Sequence, residues 1–262
     1  MHDKEVILII RRDRDYWRND HINLQPKYLE IMKFWDLSFK IKIIDYRNKL
    51  RDIASSLYLK NKFDKIFLYS SRDARNISVS DEERNIYKNS ILVATDEDDW
   101  LDPSLSNILR NIKTDKNIIV WNCFKTIKTG QVNSNKHKEN TRFVQSCSWA
   151  AVGYNDILNH RNNLYIKLEE YSNLYFIDKP LSVKVEHIGS VGFLRKIIKN
   201  FSNDKWIDNL IIKLLEDIKI EIDLPEEFVK TWKMYKDLLK DLLSSYKYLT
   251  DEHKKILEEK II

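Results

Sequence analysis

Ser90-Ile91-Leu92-Val93-Ala94-Thr95-Asp96-Glu97-Asp98-Asp99-Trp100-Leu101-Asp102-Pro103 is the stretch whose reading decides the fold. Ile91 to Thr95 are apolar or β-favouring and predict a buried strand. Acidic residues follow at once, from Asp96 to Asp99. Asp102-Pro103 then reads as a helix start, with Asp102 as N-cap and Pro103 at the first helical position. A carboxylate cluster is thus expected at the carboxyl end of a buried strand, where open α/β sheets place ligands. Like charges packed together are costly unless a cation or solvent answers them. Hard oxygen ligands at this density suit Mg²⁺ or Mn²⁺, with a substrate phosphate completing the shell. A solvated acidic turn is the plain alternative.

Upstream, strand and helix patterns alternate. Glu5–Ile10 reads as a first buried strand and runs into Arg11-Arg12-Asp13-Arg14. Residues 26–35 carry a helical stripe of Tyr28, Ile31, Met32 and Trp35. Lys40–Tyr46 alternates like a strand, Lys49–Leu59 like an amphipathic helix, and Lys65–Tyr69 like a third strand. Ser80 and Glu83 have capping-box spacing. This alternation predicts a mostly parallel sheet with helices on both faces. Strands that run together end together, so the loops at Arg11–Arg14 and Ser70–Arg75 share an edge with the acidic turn. Two basic loops beside an acidic turn suit a metal-bound phosphate ester. Arg11, Asp13 and Arg72 are the candidate contacts to base, ribose and phosphate. No GxGxxG and no GxxxxGK[ST] occurs, which removes the dinucleotide fingerprint and the P-loop.

The whole chain has 262 residues, 43% hydrophobic and 32% charged, which fits a globular domain with a real core. Its formal charge of +5 is mild and spread along the sequence, which does not by itself argue for nucleic acid and suits an anionic ligand or an anionic membrane surface; no nucleic-acid partner is expected. Cys123 and Cys147, the only cysteines, make no disulfide framework, so a cytoplasmic setting is expected, at most at the inner face of a membrane. The apolar run Val6–Ile10 is too short for a signal peptide, and no stretch has the length of a membrane span.

Downstream, Leu105–Ile112 reads as a helix and Asn117–Trp121 as a strand. Trp149 sits among small residues, which fits a pocket wall or ordinary core. Tyr175–Ile177 and Leu181–Val185 read as β structure and lead to Glu186-His187-Ile188-Gly189-Ser190-Val191-Gly192. There His187 could ligate a metal and the glycines could admit a phosphate. From about residue 196 the pattern is helical. Phe228, Trp232, Tyr235, Leu239, Leu242, Tyr246 and Leu249 recur at alternating spacings of four and three, and Thr250 could cap a last helix. This seam fits packing within the chain or a homodimer through the C-terminal helices.

With its acidic turn at 96–99, its alternating first half and its late histidine, the chain resembles GT-A-fold, nucleotide-sugar-dependent glycosyltransferases. The Ala94–Leu101 segment looks like their D-x-D signature. The likeness is closest to bacterial and viral enzymes of surface polysaccharide, including rhamnosyltransferases. It covers about residues 4–195, as a GT-A-like catalytic domain, with 196–262 as a C-terminal helical extension. The resemblance implies a hexosyltransferase that moves a sugar from a nucleoside-diphosphate sugar to a hydroxyl of a glycan acceptor. It implies Mn²⁺ or Mg²⁺ held by Asp98, Asp99 and His187, with Asp96 and Glu97 on the nucleotide-sugar side. Asp156 and Glu186 are the nearest candidates for a catalytic base. Arg11-Arg12-Asp13-Arg14 stands where the commonest inverting members have P-x-Y-N. A metal-dependent nuclease or phosphoryl hydrolase, and a non-catalytic scaffold working through its helical tail, are the competing readings.

Overall fold

A computed structural model describes residues 4–12, 37–70, 87–125, 147–153, 174–185, 225–246 and 249–259, with single residues between them. The chain forms two compact units. The first comprises Met1–Asp15, Ala54–Lys125 and Gly130–Lys184; the second comprises Tyr16–Ile53, Thr126–Thr129 and Val185–Ile262.

The first unit is built on a mixed sheet of seven strands: β1 (Val6–Arg12), β2 (Lys65–Ser70), β3 (Ile91–Asp96), β4 (Trp100–Leu101), β5 (Ile118–Lys125), β6 (Trp149–Val152) and β7 (Leu174–Lys184). Their spatial order is β2-β1-β3-β6-β5-β7-β4. Five strands run one way, because β1 is parallel to β2 and β3 while β5 is parallel to β7; β6 and β4 run against them. The expected mostly parallel α/β sheet is present, with an antiparallel β6 between β3 and β5.

β1 and β3 are buried on both faces, as their unbroken apolar runs require of central strands. One face carries Ile7, Ile9, Leu92 and Phe67, and next to them Ala94, Ile118, Val120, Trp149 and Ala151. Trp149 therefore belongs to the core, not to a pocket wall. Gly153 ends β6 with φ of +89°, and a Cβ there would meet the Lys88 carbonyl at 3.2 Å.

Three local readings are corrected. Lys40–Tyr46 is not a strand but part of a continuous helix, α1 (Leu37–Lys60). Ile43, Tyr46, Arg47, Leu50, Ile53, Ala54, Leu57 and Tyr58 are buried along it at helical spacing, and no Gly or Pro interrupts the run. The isoleucine alternation was only the local part of that longer stripe. β7 runs unbroken through Pro180: its register against β5 shifts on both sides of Asn122, so the residue without an N–H sits at a bulge. Finally, α2 (Leu105–Asn111) begins later than expected, with Ser104 at the N-cap. Asp102 holds the preceding turn instead, accepting the Ser104 N–H at 2.8 Å, while its own carbonyl accepts from Leu105 at 2.9 Å.

In the second unit, α3 (Glu226–Ser244) buries Phe228, Trp232, Tyr235, Leu239 and Leu242 within the single chain, so the heptad-like seam serves internal packing. Thr250 caps α4 (Asp251–Glu258) in a reciprocal box with His253. Among the described residues no helix is long and apolar enough to cross a membrane.

Candidate metal centre

The parallel register brings Arg12, Ser70 and Asp96 to one edge of the sheet, because Arg12 pairs with Ser70 and Arg11 pairs with Asp96. There the chain reverses in a tight turn, closed by the Asp99 N–H on the Asp96 carbonyl at 3.3 Å. Residues at the first and last positions of such a turn lie close together. Carboxylate oxygens of Asp96, Asp98 and Asp99 accordingly converge within 4.8 Å of one another. Asp96, Glu97, Asp98 and Asp99 are all buried, Asp99 completely.

Two clamps hold the turn. Tyr58 of α1 directs its hydroxyl at the carbonyls of Asp96 (2.9 Å) and Asp99, and its single proton is shared between them. Burial, with Asp99 next in order, pushes the Tyr58 phenol well above its ordinary range, so it remains a donor. Asn61 follows one turn later, donating to the Asp102 carbonyl at 2.7 Å and accepting from the Ser106 N–H at 3.1 Å. Removing a partner from a buried carbonyl costs about 1–3 kcal/mol. Tyr58→Phe is therefore expected to lower stability by about that amount, read by urea denaturation; a change within experimental error would remove the clamp from this description.

Among the described residues Lys184 is a cation that faces the cluster, and the sequence reading passed over it. β4 pairs antiparallel with β7, Trp100 opposite Val183 and Leu101 opposite Ser182. One step further along this ladder sets Lys184 beside Asp99. Its ammonium lies 2.8 Å from Oδ2 of Asp96 and 2.8 Å from Oδ2 of Asp99. The side chain is 16% exposed. A lysine inside the apolar run Leu181–Val185 was the available signal, since a charge is buried only when paired.

Burial dominates the Asp99 carboxyl and raises it to about 7; Lys184 opposes this, and Asp96 and Asp98 reinforce it. Lys184 itself is held well above its ordinary value: burial works to lower it, and Asp96 and Asp99 outweigh that. For an acid whose folded value exceeds its unfolded one, the stabilising contribution is complete below the unfolded value. It is lost as pH rises through the folded value. The melting temperature of the metal-free protein relative to Asp99→Asn is therefore expected to fall between about pH 4 and 7. A difference that stays constant over that range would contradict the assignment.

Of the other candidate residues, Arg11 lies in β1 in register with Asp96. Asp13, Arg72, Asp156 and Glu186 lie outside the described residues, as do the Ser80–Glu83 cap and the 26–35 helix. His187 belongs to the second unit, where it is buried with its ring edge-on to Tyr46 at 5.7 Å.

The donor set fits a hard divalent ion: oxygen only, three carboxylates within reach of one point, and a positive charge already drawn between two of them. No protein-family model and no curated protein matches the chain. Among solved structures it is similar to S. aureus TarS 1–349 in complex with UDP-GlcNAc, at 11% identity and a TM-score of 0.31, over 98% of this chain and 79% of that one. A TM-score of that size defines neither family nor ligand, and the reading of the site rests on its own residues.

Proposed function

We propose that the protein is a metal-dependent glycosyltransferase that takes a sugar from a nucleoside-diphosphate donor to a hydroxyl of a glycan acceptor. The observation that carries this reading is the convergence of the Asp96, Asp98 and Asp99 carboxylates, two of them on the Lys184 ammonium, at the carboxyl edge of parallel strands. Such an edge is where α/β sheets receive nucleotides. Asp98 and Asp99 would hold Mn²⁺ or Mg²⁺, Asp96 would share that role or meet the ribose, and Glu97 would lie on the donor side. When bound, the ion supplies positive charge to the leaving diphosphate. Arg11, Asp13 and Arg72 would meet base and phosphate. Asp156 or Glu186 would take the acceptor proton if the reaction inverts. The catalytic part would span 1–195 and the helical extension 196–262.

A thermal-shift screen of UDP, GDP, CDP and dTDP, each with and without Mn²⁺, tests the reading, because ligands of the native state raise its midpoint. A shift with one nucleotide that requires Mn²⁺ supports it and names the donor class. No shift with any nucleotide in a folded protein contradicts it.

A further inference from the structure

We propose that Lys184 is the resident cation of the acidic turn, and that a divalent ion reaches Asp96 and Asp99 only by displacing it. Lys184 would then set the metal affinity of the site. The inference rests on the metal-binding reading above and adds a competitor to it.

The ammonium is 2.8 Å from one oxygen of each of the two carboxylates. Those two residues, with Asp98, form the convergent donor set for a metal. An ammonium already seated on Oδ2 of both carboxylates neutralises charge that a divalent ion among the same residues would draw on, and the like charges of the two cations oppose simultaneous binding nearby. The geometry is built by the backbone. β4 is paired to β7, and the Asp102 N–H donates to the Leu181 carbonyl at 2.9 Å, which fixes Lys184 opposite the turn. Lysine carries its charge on a flexible stem with freely rotating donors, so its head group can leave while the strand stays paired. Its partial exposure gives it a way out towards solvent. The site then has two states: closed on its own ammonium, or open to a metal. Metal would be taken up firmly only when something adds to the attraction for it, as an anionic diphosphate does.

The test is Mn²⁺ uptake by the full chain, followed through the loss of the free-ion paramagnetic resonance signal. Lys184→Met is expected to bind Mn²⁺ at least tenfold more tightly than the wild type. Lys184→Arg, which keeps the charge, is expected to stay near the wild type. Unchanged or weaker binding by Lys184→Met overturns the proposal. Because crowded carboxylates without their ammonium can prevent folding, a second measurement uses the wild type alone: acetic anhydride labelling of Lys184, read by peptide mass spectrometry. Saturating Mn²⁺ is expected to raise labelling severalfold. Mn²⁺ uptake with unchanged labelling overturns the displacement while leaving the metal site in place. No Mn²⁺ uptake by any form, with labelling unaffected, overturns both.

Discussion

Replacing Trp121 with alanine is expected to lower folding stability by about 3–5 kcal/mol, the usual cost of emptying a large aromatic site in a core. Trp121 lies in β5 and is among the largest fully buried side chains. It also joins three strands or their approaches. Its backbone N–H donates to the Ser148 carbonyl at 3.1 Å. Its indole N–H lies 3.2 Å from the Cys147 carbonyl and 3.1 Å from the Ser182 hydroxyl, and is shared between them. Alanine removes both the packing and the donor. Phenylalanine keeps most of the apolar area and leaves those acceptors without their donor, so Trp121→Phe should cost about 1–3 kcal/mol. Urea denaturation of the two variants checks the order. A Trp121→Ala loss below about 1 kcal/mol would mean that β5 is not the packed centre described here.

Asp98→Asn is expected to leave stability little changed while reducing Mn²⁺-dependent nucleotide binding by at least about 100-fold. Changes to outer partners of a metal site already cost about 10–100-fold, and a direct ligand should exceed that. The small stability effect follows from two opposed influences: Asp98 pushes the Asp99 carboxyl upward but also favours the Lys184 ammonium, so removing its charge relieves a repulsion while loosening an attraction. Calorimetric titration beside thermal melting measures both effects. Equal losses of binding and stability would show that Asp98 serves the fold and not a ligand.

The sequence made the site's location legible because several local signals agreed there. An apolar strand ran into an acidic reversal, and β3 and its turn follow that reading; the two-residue β4 at Trp100–Leu101 was not foreseen. The strand ends Arg12, Ser70 and Asp96 share an edge for the same reason: the pattern called for parallel pairing. What the sequence could not display was contact across distance. Lys184 follows the acidic turn by more than eighty residues and meets it only through the pairing of a two-residue strand with β7. Nothing local to Leu181–Val185 marks that partner. α1 was misread for a different reason. Lys40–Tyr46 alternates within a short window, while the buried stripe from Ile43 to Tyr58 becomes visible only over several turns. The antiparallel β6 was hidden because Trp149-Ala150-Ala151-Val152 has the same small-and-aromatic composition as a pocket lining.

The most direct measurement is a Mn²⁺ titration of the purified chain, followed by paramagnetic resonance, alone and with each of the four nucleoside diphosphates. Coupling is reciprocal, so a nucleotide whose binding needs the metal must also tighten the metal. The expected result is one Mn²⁺ site per chain, tightened by one nucleotide and lost in Asp98→Asn. A folded protein that leaves the Mn²⁺ signal unchanged with every nucleotide would contradict the metal-dependent glycosyltransferase reading.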